Sequence, residues 1–165
     1  MKKRFGKYKG VVAGEPKDDL GRGRIQVTVE RILPEPTWAE PCVPYAAPGK
    51  GFLMVPPDGA DVWVEFAEGD ISRPIWTGCF WSDRFTTPLT PQVEKQADTK
   101  VLVMEGFDLR ITEASNGAKV ELKLGSVTIT ADPNAVTIEV GSGGGTIELT
   151  SSAMNVHGTA MTVDK

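Results

Sequence analysis

Apolar and polar residues alternate with a period of two over most of this chain. Ile25, Val27 and Val29 alternate with Gln26, Thr28 and Glu30, and Val62 and Val64 alternate with Trp63 and Glu65. This is the pattern of half-buried strands. Six runs rich in β-branched and aromatic residues occupy the first half: KYKGVVAG, RGRIQVTVE, WAEPCV, FLMV, DVWVEF and PIWTGCF. Turn signals separate them, namely DDLGRG, LPEP, APGKG, PPDG and EGD. Five or six short strands in about 80 residues, with no long helix, predict a small closed or partly closed barrel such as the OB-fold.

The pattern then changes character. Eleven of the 12 aromatic residues lie in the first 85 positions and only Phe107 comes later; 11 of the 12 prolines lie at or before Pro91. Beyond that point short Val/Ile/Thr/Leu runs are split by Gly, Asn, Asp and Ser. The runs are KVLVM, FDLRIT, AKVELKL, SVTIT, AVTIEV, TIELT, MNVHG and MTVD. The chain therefore divides into a barrel over 1–87, a linker over 88–100 with a short helical turn near Gln92 to Ala97, and a second β region over 101–165.

That second region has no obvious interior. A strand of four or five residues offers two or three inward side chains, and a single ribbon of such strands leaves an apolar face and two edges uncovered. It must either coil alone into a wide solenoid or share a core with other copies. A solitary coil of about 20 residues per turn would complete barely three turns. A threefold interior needs only one short strand per face per level, and it admits aliphatic residues where rings would overfill it. The expectation is an all-β chain, an OB-fold barrel followed by an intertwined, trimeric, triple-stranded β-helix. Its shared core would comprise Val120, Leu122, Leu124, Val127, Ile129, Val136, Ile138, Val140, Ile147, Leu149, Met154 and Val156. At about 4.8 Å per strand its shaft would be roughly 30–40 Å long.

Charge narrows the function. The formal net charge is −4, and five cations (Lys2, Lys3, Arg4, Lys7, Lys9) fall in the first nine residues. The remaining body is acidic, which disfavours a dedicated nucleic-acid binder. No apolar run approaches the roughly 18 residues of a membrane span, and the basic start is not followed by the apolar stretch of a signal peptide. Synthesis in the cytoplasm is the simplest expectation.

The stretch PPDGADVWVEFAEGDISRPIWTGCFW, Pro56 to Trp81, closely resembles the OB domain of contractile-tail spike proteins, the phage baseplate assembly protein V type and the Vgr type of type VI secretion. GVVAGEPKDDLGRGRIQVTVERI and WAEPCVPYAAPGKGFLMVP resemble the preceding segments, so the likeness covers residues 10–81. It implies a homotrimeric, membrane-puncturing spike in the baseplate of a contractile machine, most simply a phage tail assembled in the host cytoplasm. Such a spike docks to a hub, crosses the target cell membrane transiently and often carries a PAAR-type tip protein. On this reading Lys2, Lys3, Arg4 and Lys7 contact the hub, and Met161 and Val163 form the platform for the tip. The family's lysozyme insert and its paired apical H-x-H histidines have no counterpart here.

The remaining signals read plainly. His157, the one histidine, falls out of phase with Met154 and Val156, which makes it solvent-facing rather than a metal ligand; no cofactor is expected. Trp38, Trp63, Trp76 and Trp81 could stack bases, but barrel core and trimer contact suit an acidic body better. GSGGG at 141–145 lacks the Lys-Ser/Thr and helix of a phosphate loop and reads as a turn. Asn116-Gly117 and Asp132-Pro133-Asn134 are further turns. Cys42 and Cys79 are expected to be buried thiols. Nothing suggests a catalytic cleft. The rival readings are an OB module for single-stranded nucleic acid or glycans with an oligomerising tail, and a tail-associated glycan hydrolase.

Overall fold

The computed structural model describes residues 3–15, 17–84, 90–93, 97–115, 117–141 and 144–158. The chain divides into two compact units, Met1–Leu89 and Thr90–Lys165.

The first unit is a closed five-stranded barrel with a small ribbon. Its barrel strands are β1 (Tyr8–Val12), β2 (Ile25–Val29), β3 (Leu33–Pro41), β6 (Asp61–Phe66) and β7 (Pro74–Cys79), and the ribbon pairs β4 (Ala46–Ala47) with β5 (Lys50–Gly51). The order around the barrel is β1-β2-β3-β7-β6, with β6 returning to β1; only β3 and β7 run parallel. That connectivity is the OB arrangement. Alternation of the apolar residues decides the interior: Ile25, Val27 and Val29 from β2, Val62, Val64 and Phe66 from β6, with Val12, Ala39 and Trp76, form the core. Gly10 lets β1 close on β6, because a Cβ there would stand 2.8 Å from Val64 Cγ2 and 3.0 Å from the Thr28 carbonyl oxygen.

Two local expectations fail in this unit. LPEP is not a turn; Leu33 to Pro36 are the opening residues of β3, and the turn lies just before, where the Ile32 amide donates to the Val29 carbonyl. Proline is tolerated there because the β2–β3 pairing is irregular at that end. FLMV is not a strand either. Pro44 to Met54 are all exposed, and only Ala46–Ala47 and Lys50–Gly51 pair.

The second unit is a single seven-stranded antiparallel meander: β8 (Thr99–Met104), β9 (Phe107–Ala114), β10 (Gly117–Leu124), β11 (Val127–Ala131), β12 (Ala135–Val140), β13 (Thr146–Thr150) and β14 (Met154–His157). Each strand pairs only with its chain neighbours. The turns explain why. Glu105-Gly106 and Gly125-Ser126 are two-residue hairpin loops with positive φ at the glycines (72° and 58°), the backbone such loops require. Asp132 Oδ1 accepts from the Asn134 and Ala135 amides and closes the next turn. β8 takes up Thr99 and Lys100, the last residues of the expected linker. The expected run MTVD, the Asn116 half of one turn and the middle of the GSGGG turn lie outside the described residues, as does part of the expected helical turn near Gln92.

Candidate functional site

The register of the meander sorts its side chains into two faces, because paired residues share a face and neighbours along a strand do not. A central row crosses all seven strands: Leu102, Leu109, Leu122, Ile129, Ile138, Ile147 and Val156. On one side of it lie Met104, Phe107, Leu124, Val127 and Val140. On the other lie Ile111, Val120, Ala131, Val136, Leu149 and Met154. All twelve residues expected in the shared core fall on this one face. Leu102, Met104, Phe107, Leu109, Ile111 and Ala131 join them. The run FDLRIT carried the same alternation, so Phe107, Leu109 and Ile111 were legible too, whereas KVLVM is apolar at four successive positions and does not by itself choose a face. Phe107, the one distal aromatic, stands on the apolar face beside the central row.

Within this unit no described residue covers this face. Among the described residues from 90 to 158 none is buried. Val120, Leu124, Val136, Val140, Ile147, Leu149 and Val156 are between 38% and 47% exposed, and Met154 is 66% exposed. Soluble proteins rarely leave a continuous apolar surface of this extent without a partner. Towards β8 the face ends at a charged rim, where Lys100 Nζ lies 2.6 Å from Glu113 Oε1.

The opposite face is mostly polar, with Val101 and Val103 its apolar residues on β8, and several of its charges pair with one another. Arg110 grips Asp108 with both oxygens in reach, and Glu121 lies between Lys119 at 2.8 Å and Lys123 at 3.1 Å. The Arg110 and Lys119 hydrogen bonds hold the Asp108 and Glu121 carboxyls below their usual range. His157 opposes Thr146 on this face, away from Met154 and Val156. No cluster of three or more His, Cys, Asp or Glu able to hold a metal occurs among the described residues. The expected tip platform, Met161 and Val163, lies outside the described residues.

In the barrel unit, Asp18 organises the β1–β2 loop. Its carboxylate accepts from the Leu20, Arg22 and Arg24 amides and from Arg24 Nε and Nη2, the last at 2.7 Å. The Arg24 hydrogen bonds hold the Asp18 carboxyl far below the ordinary carboxylate range. Arg24 in turn lies 4.9 Å over the Trp38 ring. The indole of Trp76 donates to the Gly23 carbonyl, tying this loop to β7.

Of the four tryptophans only Trp76 is a core residue; Trp63 stacks on Phe80 at 4.5 Å, Trp38 is partly exposed and Trp81 is 65% exposed. Cys42 and Cys79 are exposed, not buried. Cys42 lies just past the end of β3, and a register irregularity in the β6–β7 pairing precedes Cys79 at the last position of β7, so neither is aimed into the core. Desolvation nevertheless raises the Cys79 thiol above its usual value. Of the expected hub contacts, Lys7 is engaged by Glu65 at 2.7 Å and Thr77 at 2.9 Å on the barrel surface. The Arg4 amide donates to the Gly69 carbonyl, Lys3 is exposed, and Lys2 lies outside the described residues. Sequence reasoning missed the exposed arm with Tyr45, Phe52, Leu53 and Met54; the Pro and Gly density from Pro44 to Gly51 was the signal against a buried strand.

No curated protein matches the chain. Residues 8–81 match the family model of the type VI secretion system/phage-baseplate injector OB domain, a stretch that begins with β1 and ends just past β7. The barrel of this chain is thus similar to the injector OB domain of type VI secretion systems and phage baseplates, a likeness that supports a baseplate-associated role.

Proposed function

We propose that the protein is a non-enzymatic, homotrimeric spike of a contractile injection machine. The OB barrel docks to a hub, and the distal meanders of three copies form a β-helix that is driven through the target membrane. The observation that carries this reading is the continuous three-row apolar face of a sheet without a single buried residue among its described positions. Three such sheets, each turning that face inward, make a triangular prism with the charged faces outside. Each Leu or Ile so enclosed contributes roughly 1.5–3 kcal/mol, a gain realised only in the assembly, so folding of the distal unit and trimerisation are one event. Strands then run across the prism axis, and axial load compresses packed methyl groups and backbone ladders rather than a hinge. The wide ends of the prism suit a hub on one side and a small tip protein on the other.

Light scattering on the purified chain tests the proposal. A mass three times 17.8 kDa supports it; a well-ordered monomer at micromolar concentration overturns it.

A further inference from the structure

The five residues that follow β7 are held against the barrel rather than released from it. The Phe80 amide donates to the Asp61 carbonyl at 3.1 Å, and the Phe80 ring stacks on Trp63 with Lys9 Nζ 5.5 Å from its centroid. Ser82 Oγ donates to Asp61 Oδ2 at 2.6 Å. Arg84 closes the segment with a two-pronged grip on the same carboxylate, Nε to Oδ2 at 3.0 Å and Nη2 to Oδ1 at 2.9 Å. Its Nη2 also donates to the Gly59 carbonyl. Asp61 is buried in the barrel, 7% exposed as a whole residue. A buried carboxylate is costly unless fully engaged, and among the described residues the donors to its side chain are Ser82 and Arg84.

We propose that Asp61 anchors a clasp, with Ser82 and Arg84 as its tongue, that extends the barrel's hold on the chain past residue 79 to residue 84. The placement gives the clasp a mechanical role. Asp61 opens β6, and Cys79 closes β7 opposite Val62. Tension entering at the end of β7 would peel that strand from β6 one pair at a time. Away from β6 its strand pairing is short, at Glu40–Ile75 and Pro41–Trp76, and its other anchors are the buried Trp76, whose indole donates to the Gly23 carbonyl, and the Cys42 amide on the Trp76 carbonyl. With the clasp shut, tension from the linker must first break a bidentate Arg–carboxylate pair, which fails as a unit and not as a zipper. The inference rests on the spike reading only for the source of that tension.

The test uses the full chain in its native oligomer, as wild type, Arg84→Met and Arg84→Lys. Hydrogen exchange of amides 80–84 should accelerate at least tenfold in Arg84→Met and less in Arg84→Lys, which keeps the charge without the fork, while β2 amides stay unchanged. Stretched between terminal handles, Arg84→Met should show an early extension of about 17 Å, five residues at roughly 3.4 Å each, before the barrel opens. An equal acceleration across β2 would mean that the pair merely stabilises the barrel, and this overturns the clasp. Unchanged exchange, or stretching traces that superimpose on wild type, overturns it as well. Should Arg84→Met fail to fold, Arg84→Lys carries both measurements. The oligomeric mass of the same samples reports separately on the spike reading, so a monomer with the expected exchange pattern would remove the trimer and leave the clasp.

Discussion

The two units are built from the same period-two alternation and end in opposite states. Among its described residues the barrel encloses nine hydrophobic side chains, five of them at 0% exposure, because five strands curl until the sheet meets itself. The distal sheet has more strands and more aliphatic residues on its inner face, yet encloses none among its described residues. Alternation alone therefore does not make a core; closure does. Closure in the barrel depends on long, non-local pairings, β1 with β6 and β3 with β7. The distal unit has only hairpin pairings between chain neighbours, and a meander of that kind has two free edges and one uncovered face. On the proposed reading its interior is supplied by other copies of the chain.

The sharpest way to break this contrast is a charge on the central distal row. Ile138→Asp would place three carboxylates at one level of a shared core. Burial of unpaired charge is among the most destabilising changes known. The expected outcome is loss of the trimeric mass and of the distal transition in thermal melting, while the barrel transition survives. Were the distal sheet a stable single-chain element with that face in water, the substitution would change mass and melting little.

The mirror experiment is Ile25→Ala, which empties part of a fully buried site in β2. Large-to-small changes of this kind cost about 2–5 kcal/mol. The loss should appear in the barrel transition alone and should not depend on protein concentration. The distal transition, in contrast, should rise with concentration, as it does whenever assembly and folding are coupled. Melting curves across a hundredfold range of concentration separate the two.

Much of this division was legible in the residues. The seven distal strands, and the single face shared by the twelve residues expected in the core, follow from alternation plus turn residues, because hairpin meanders are local and the glycines at 106, 125 and 141 announce their turns. The barrel's closure was legible only as a class. Which strands meet depends on β3 and β7 pairing across more than thirty residues of chain, and no local signal encodes that. The same limit explains the misread LPEP and FLMV runs. Leu33 to Pro36 lie in a strand because β2 offers it a partner at Val29, whereas Phe52 lies at the end of the small ribbon, its amide donating to the Tyr45 carbonyl, and Leu53 to Val55 run on outside any strand. Asp61 and Asp18 were invisible as anchors. In each case the donors arrive from a loop whose path is set by the fold or by glycine backbone geometry rather than by residue spacing alone.

Acid should sharpen the contrast further, with a smaller effect. Asp18 has its carboxyl depressed chiefly by Arg24, and the folded state therefore binds the proton later than the unfolded chain does. A depressed carboxyl contributes stability that is complete above the unfolded value, near 3.9, and is lost as pH falls through the lower folded value. Above about pH 5 the barrel transition should be flat with respect to this group; below about pH 4 it should decline, and Asp18→Asn should remove that part of the slope. Asp108 and Glu121 are depressed in the same direction on the distal sheet, by Arg110 and Lys119. Those carboxylates lie on the solvent face, where pairs are screened and contribute little. Salt at 0.5 M should therefore weaken the acid slope of the distal transition, yet leave most of the barrel's. Asp18 is different because its side chain is only 7% exposed and three backbone amides share it with Arg24. If both slopes collapse equally in salt, the β1–β2 loop is held no more firmly than a surface ion pair. The distinction between a closed unit and an open one would then stop at the hydrophobic residues.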